Sequence, residues 1–257
     1  MSADDVATST TSSAARPERD LHGQTVLVIG GSSGIGLETA RLARAKGADV
    51  ILTAREPNRL HRVGLELGAS IAAFDATDFD RLERFFDALL APIDHLLVTG
   101  PGPYYAPLAT FDLEAARRSI EAHLLLPLQV ARLASSRIRP GGTLLFMSGT
   151  GARRPAPGRS LIAALTAALP ALTRNLALEL VPVRVNLLAA GFVDTPLSAS
   201  LLGDQLDARR EQLRATLPIG RVVGPADVAT LAVHLMTNTA VTGATLDIDG
   251  GQQLVER

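Results

Sequence analysis

From Leu21 onward, short aliphatic and β-branched runs alternate with stretches of helical period. Residues 25–30 (TVLVIG) read as a buried strand and 34–46 as an amphipathic helix. Residues 49–54 form the next strand, and Pro57 then stands where a helix would start, with Gly68 near its end. The alternation continues with a strand at 70–74, a helix at 79–90, a strand at 93–99 and a long helix at 112–138. A strand at 143–147, a helix at 160–180, a strand at 183–188, a helix at 225–236 and a strand at 245–248 complete it. Such regular alternation predicts right-handed crossovers and one parallel sheet covered on both faces, the doubly wound α/β class, in a single domain. Pro170, inside the 160–180 helix, removes the backbone bond to Thr166 and is expected to kink or restart it.

Residues 1–20 break the pattern. They are rich in Ser, Thr, Ala and Asp, have no hydrophobic period, and are expected to be a disordered tail before a domain over 21–257. Asp4, Asp5, Glu18 and Asp20 argue against a transit peptide, and no apolar run suggests a signal peptide or a membrane span. The expectation is a cytoplasmic protein without a membrane partner.

Charge narrows the partners. The formal balance is 25 − 26 = −1, which gives no sign of a nucleic-acid partner. There is no cysteine, hence no thiol chemistry, and the five histidines are scattered, so no metal site is assigned. Two counts bear on catalysis: Lys46 is the only lysine in 257 residues, and the two tyrosines, Tyr104 and Tyr105, are adjacent.

The first strand runs straight into Gly30-Gly31-Ser32-Ser33-Gly34-Ile35-Gly36 and then a helix. Glycines there permit a tight turn and close approach of a pyrophosphate, and the helix N-terminus offers free N–H groups. This placement points to a dinucleotide, with Gly30, Ser32, Ser33, Gly34, Ile35 and Gly36 as contacts and a Rossmann-type sheet behind them. The second strand ends Thr53-Ala54-Arg55. A carboxylate at that point would accept from the ribose hydroxyls and repel a 2′-phosphate, whereas the Arg55 guanidinium can pair with one. NADP is therefore favoured over NAD.

These residues resemble the short-chain dehydrogenase/reductase family, and the resemblance extends from Leu21 to about Leu254. Phe74-Asp75-Ala76-Thr77-Asp78 looks like that family's adenine-contact segment, which implies roles for Asp75 and Ala76. Thr99 and Gly100 stand where the family usually carries an Asn-Asn-Ala-Gly motif. Gly191-Phe192-Val193-Asp194-Thr195-Pro196 resembles the segment in which the Thr195 position touches the nicotinamide carboxamide. The resemblance also implies a homo-oligomer (dimer or tetramer), or a hetero-oligomer with an active paralogue, and a small-molecule alcohol or carbonyl substrate.

Four positions depart from the family pattern. Its tyrosine position falls on Ile162, its lysine on Thr166, its serine on Gly149 with Ser148 one residue earlier, and its asparagine on His123. In that family the tyrosine supplies the proton for the developing alkoxide, and a lysine lowers a phenol pKa that is ordinarily about 10. Ile162 has no proton to give, and Thr166 carries no charge. Candidate replacements are Tyr104 or Tyr105, on the loop after the fourth strand, and His123, with Ser148 helping to orient a carbonyl. Arg153, Arg154 and Arg159 are candidates for neutralising an anionic substrate. Two readings stay open: an NADP-dependent oxidoreductase with a non-standard proton donor, and a pseudo-enzyme that binds the cofactor as a subunit or sensor.

Overall fold

The aliphatic runs assemble into a seven-stranded parallel sheet of order β3-β2-β1-β4-β5-β6-β7. The computed structural model describes residues 20–255, so the tail expected over 1–20 lies outside the described residues except for Asp20. In chain order the first elements are β1 (Thr25–Ile29), α1 (Gly34–Ala45), β2 (Asp49–Ala54), α2 (Pro57–Leu67), β3 (Ser70–Ala73), α3 (Phe79–Asp87) and β4 (Ile93–Val98). They are followed by α4 (Leu113–Ile120), α5 (Leu126–Ala134), β5 (Ile138–Gly149), α6 (Ser160–Glu179) and β6 (Arg184–Ala190). Then come α7 (Pro196–Leu202), α8 (Leu206–Thr216), α9 (Pro225–Thr237) and β7 (Thr245–Ile248).

Strand alternation sorts the core into two layers. Leu27, Ile29, Leu96, Leu144 and Phe146 pack against α3, α5 and α6 through Phe86, Val130 and Leu169. Their neighbours Val26, Val28, Leu97 and Leu145 pack against α1, α2 and α9 through Ala43, Leu60 and Val233. The single-domain, doubly wound α/β class expected from the sequence is therefore the one formed.

Three expectations need correction. The helix expected at 112–138 is two helices joined by a π turn at Glu121–Leu125, in which Leu126 N donates to Glu121 O, and the chain is already in β5 at Ile138. Pro127 accounts for the break: it has no N–H for the His123 carbonyl, and its ring would collide with that carbonyl in an unbroken α-helix. Conversely, α6 runs unbroken through Pro170. Both halves bury one face on the same sheet, with Ile162, Leu165 and Leu169 before Pro170 and Leu176 and Ala177 after it. By length and composition α6 is also long and apolar enough to cross a membrane. In this fold it packs on the core, and its own Thr173 is fully buried. Finally, α7 and α8 fill a stretch for which the sequence pattern had predicted no element. Each buries so little (nothing in α7, Leu213 alone in α8) that no apolar period marks them.

One buried group makes stability depend on pH. His95, on β4, is 3% exposed, and its Nε2 donates to Gln24 Oε1 at 2.6 Å, while Nδ1 is buried without a partner. Burial pushes its pKa down to about 4; the nearby Asp94 opposes the shift and Arg184 adds to it. The folded value lies below the unfolded one, about 6.5, so the histidine's contribution is complete above that pH and is lost as pH falls towards 4. The loss should approach about 3 kcal/mol. Denaturant titrations at pH 7 and pH 4 check this, and His95→Gln should flatten the difference.

Candidate active site

In an open α/β sheet, ligands sit beyond the carboxyl ends of the strands where the strand order reverses. Here the reversal lies between β1 and β4. A cleft of about 690 Å³ opens there, lined by residues from the ends of β1, β2, β3 and β4, from α4 and the π turn, and from the start of α7.

The glycine loop builds its floor. A Cβ on Gly36 would stand 2.3 Å from Gly30 O, so only glycine lets α1 approach β1 this closely. Gly30 has φ +88°, and a side chain there would collide with the Thr99 hydroxyl, which donates to Ile29 O at 3.0 Å. Ser33 forms the N-cap of α1 without any side-chain hydrogen bond, and no acidic residue occupies the first turn. The helix therefore presents its unsatisfied N–H groups and positive end to the cleft, an arrangement suited to a pyrophosphate.

Arg55 and Arg59 flank the next stretch of wall, at the end of β2 and in the first turn of α2. The carboxylate between them is occupied: Glu56 caps α2 by accepting from Asn58 N at 3.2 Å. Asp75 also lines the cleft, and its Oδ1 accepts from Thr77 N at 3.0 Å and from Thr77 Oγ1 at 2.8 Å. Thr195 caps α7 by accepting from Ser198 N at 3.3 Å. All twelve expected cofactor contacts thus face one cleft: Gly30, Ser32, Ser33, Gly34, Ile35, Gly36, Arg55, Asp75, Ala76, Thr99, Gly100 and Thr195.

The four catalytic candidates separate. Tyr104 and His123 line the cleft; Tyr105 and Ser148 do not. Tyr105 is 54% exposed. Ser148 continues the face of β5 that carries Leu144 and Phe146 under α6, and its Oγ is buried without a partner. Tyr104 Oη accepts from Asp112 N at 2.8 Å, and its ring meets Phe111 edge-on at 5.9 Å, so the phenol ties the loop to the start of α4. His123 sits in the π turn, with Nδ1 2.9 Å from Ser119 O. A carbonyl only accepts, so Nδ1 carries the proton and a neutral ring leaves Nε2 as a proton acceptor.

Ile162 and Thr166 are buried on α6 and lie outside the cleft lining. The Thr166 hydroxyl donates to Ile162 O at 2.8 Å. Two of the three arginines expected to meet an anionic substrate are otherwise engaged. Arg153 pairs with Asp247, on which its hydrogen bond holds the carboxyl below the usual range, and donates to Gln253 Oε1 at 2.9 Å. Arg154 donates to Val255 O, whereas Arg159 stands at the N-cap of α6 by its backbone alone, with no side-chain hydrogen bond to the helix. Asp194 and Arg210 are a pair the sequence reading missed. Their two hydrogen bonds, 2.9 and 2.8 Å, tie α8 back to the residue before Thr195.

Residues 29–253 match the family model described as enoyl-(acyl carrier protein) reductase. The chain belongs to the short-chain dehydrogenase/reductase family and is an oxidoreductase of that type. It is 31% identical to the short-chain dehydrogenase/reductase ATR9 of Stachybotrys chlorohalonatus over 250 residues, covering 90% of this chain and 97% of that protein. The solved structure of the MalC reductase/Diels-Alderase from Malbranchea aurantiaca superposes with a TM-score of 0.84 at 30% identity, covering 92% of this chain and 99% of that one. That of BdcA in complex with NADPH gives 0.80 at 26% identity, with coverages of 90% and 94%.

Proposed function

We propose that this chain is an NADP-dependent oxidoreductase interconverting an alcohol and a carbonyl, with His123 handling the proton in place of a tyrosine–lysine relay. The observation that carries the cofactor assignment is the cleft wall itself. It combines an uncapped α1 N-terminus with Arg55 and Arg59, while the one carboxylate between the arginines is turned to its own helix. In this reading Ser32 to Gly36 hold the pyrophosphate, Arg55 and Arg59 hold a 2′-phosphate, Asp75 and Ala76 flank the adenine, and Thr195 orients the nicotinamide. The cofactor, when bound, supplies or accepts the hydride.

The protein's own part is to move one proton. Nδ1 of His123 is pinned by Ser119 O, so Nε2 takes the proton of a substrate hydroxyl in the oxidative direction and returns it in the reductive one. Tyr104 is the second candidate, because its hydroxyl accepts from Asp112 N and keeps its own proton to give. Two of the proteins cited above are named as a dehydrogenase/reductase and as a reductase/Diels-Alderase, and neither supports a pseudo-enzyme. We further propose a homo-oligomer joined across the α5–α6 face, where Leu128 and Leu178 are exposed.

The Arg55 assignment has a direct check. Wild-type protein should bind NADPH more tightly than NADH in a fluorescence titration. Arg55→Ala should weaken NADPH by about 10–100-fold, the worth of a charge-assisted pair, and leave NADH unchanged. Equal wild-type affinities would reject the assignment.

A further inference from the structure

Both lips of the cleft are uncharged. Residues 100–111 and 195–203, 21 in all, contain no Asp, Glu, Lys or Arg, although charged residues make up 20% of the chain and about four would be expected. One lip is the loop after β4, and the other is α7. They touch: a Cβ on Gly102 would meet Leu197 Cδ1 at 3.0 Å and Leu201 Cδ2 at 3.9 Å. Leu197 and Leu201 are four apart on α7 and so share a face. None of α7 is buried, and these two leucines remain 42% and 48% exposed. The loop lip continues outward through Tyr104, which packs on Phe111, to Leu108 at 79% exposure. Of the charged residues that line the cleft, Arg55, Glu56, Arg59 and Asp75 lie beyond the ends of β2 and β3, and Arg118 and Glu121 lie on α4 and the π turn; none belongs to either lip.

We propose that the substrate is a rigid, largely apolar secondary alcohol or its ketone, too large for the cleft alone, whose body lies across the lips formed by residues 100–111 and α7. This deepens the oxidoreductase reading and rests on it for the reacting group. The apolar surface is continuous with the cleft: Tyr104, Pro196 and Leu197 line the cleft and also belong to the lips. Solvent-exposed apolar surface of this kind, contiguous with a pocket, marks a ligand site. A polyol would gain little from it, since five of the six hydroxyl side chains on the lips, those of Tyr104, Thr110, Thr195, Ser198 and Ser200, are already hydrogen-bonded within the chain.

The test uses the NADP⁺-loaded protein with a hydroxysteroid and a linear hexitol as paired alcohols, and calorimetry with the matching oxosteroid as a readout independent of turnover. The hydroxysteroid should have a kcat/KM at least roughly 100-fold above the hexitol. Leu201→Asp and Leu108→Asp should each weaken oxosteroid binding roughly tenfold, with NADPH affinity unchanged. Comparable turnover of the hexitol, or oxosteroid binding unaffected in both variants, would overturn the proposal. So would sedimentation showing that these variants dissociate an oligomer, because a second copy would then cover the lips. If the oxosteroid binds and the variants weaken it while no alcohol gives up a hydride, the apolar site stands and the oxidoreductase reading fails.

Discussion

In a His123→Ala background, Ile162→Tyr combined with Thr166→Lys should raise carbonyl reduction at neutral pH by about 10²–10⁴-fold, the usual worth of a positioned proton donor. The two positions lie one helical turn apart on α6, so both new side chains would leave the same face. Either change alone should do little. A phenol without a cation keeps its ordinary pKa near 10, and an ammonium without the phenol has no proton path to the substrate oxygen. Both sites are buried, and overpacking costs typically 1–3 kcal/mol, so thermal unfolding of the double variant must be measured beside its kcat/KM. A folded, NADPH-binding double variant with no gain would show that these positions do not face the reacting carbon.

His123→Ala should lower kcat/KM for alcohol oxidation by about 100-fold with KM little changed, since the imidazole is needed to take the proton rather than to hold the substrate. His123→Asn should be no better, because an amide side chain cannot accept the proton. Tyr104→Phe should chiefly loosen the link to Asp112 N and retain most of the turnover. If instead Tyr104→Phe abolishes activity and His123→Ala does not, the two roles are exchanged.

The parallel sheet and the glycine loop on the cleft floor were legible because both are written in spacing. A buried strand meeting Gly30-x3-Gly34-x-Gly36 fixes where the backbone must approach and which helix end faces the cleft. The π turn was less accessible, although Pro127 carried a signal: a proline inside an expected helix must break its bond to the residue four back. Pro170 carries the same signal with the opposite outcome, because there the two halves of α6 share one buried face. The α7–α8 excursion was missed because an element that buries almost nothing has no hydrophobic period to read. Side-chain direction was the other limit. Adjacent Tyr104 and Tyr105 part, one to the cleft wall and one to the outside, and Ser148 follows the strand's alternation beneath α6. Likewise, Arg153 appeared free for a substrate until the fold brought Asp247 beside it.

In the proposed mechanism, hydride transfer takes place in this cleft without a tyrosine–lysine relay. It is tested most directly by following the near-ultraviolet absorbance of the reduced nicotinamide when the wild-type protein and NADP⁺ are mixed with an apolar secondary alcohol. NADPH should form in steady turnover, Lys46→Ala should make no difference, and His123→Ala should nearly abolish the signal. Tight NADPH binding with no reduced nicotinamide formed from any alcohol, and none consumed by any ketone, would contradict it.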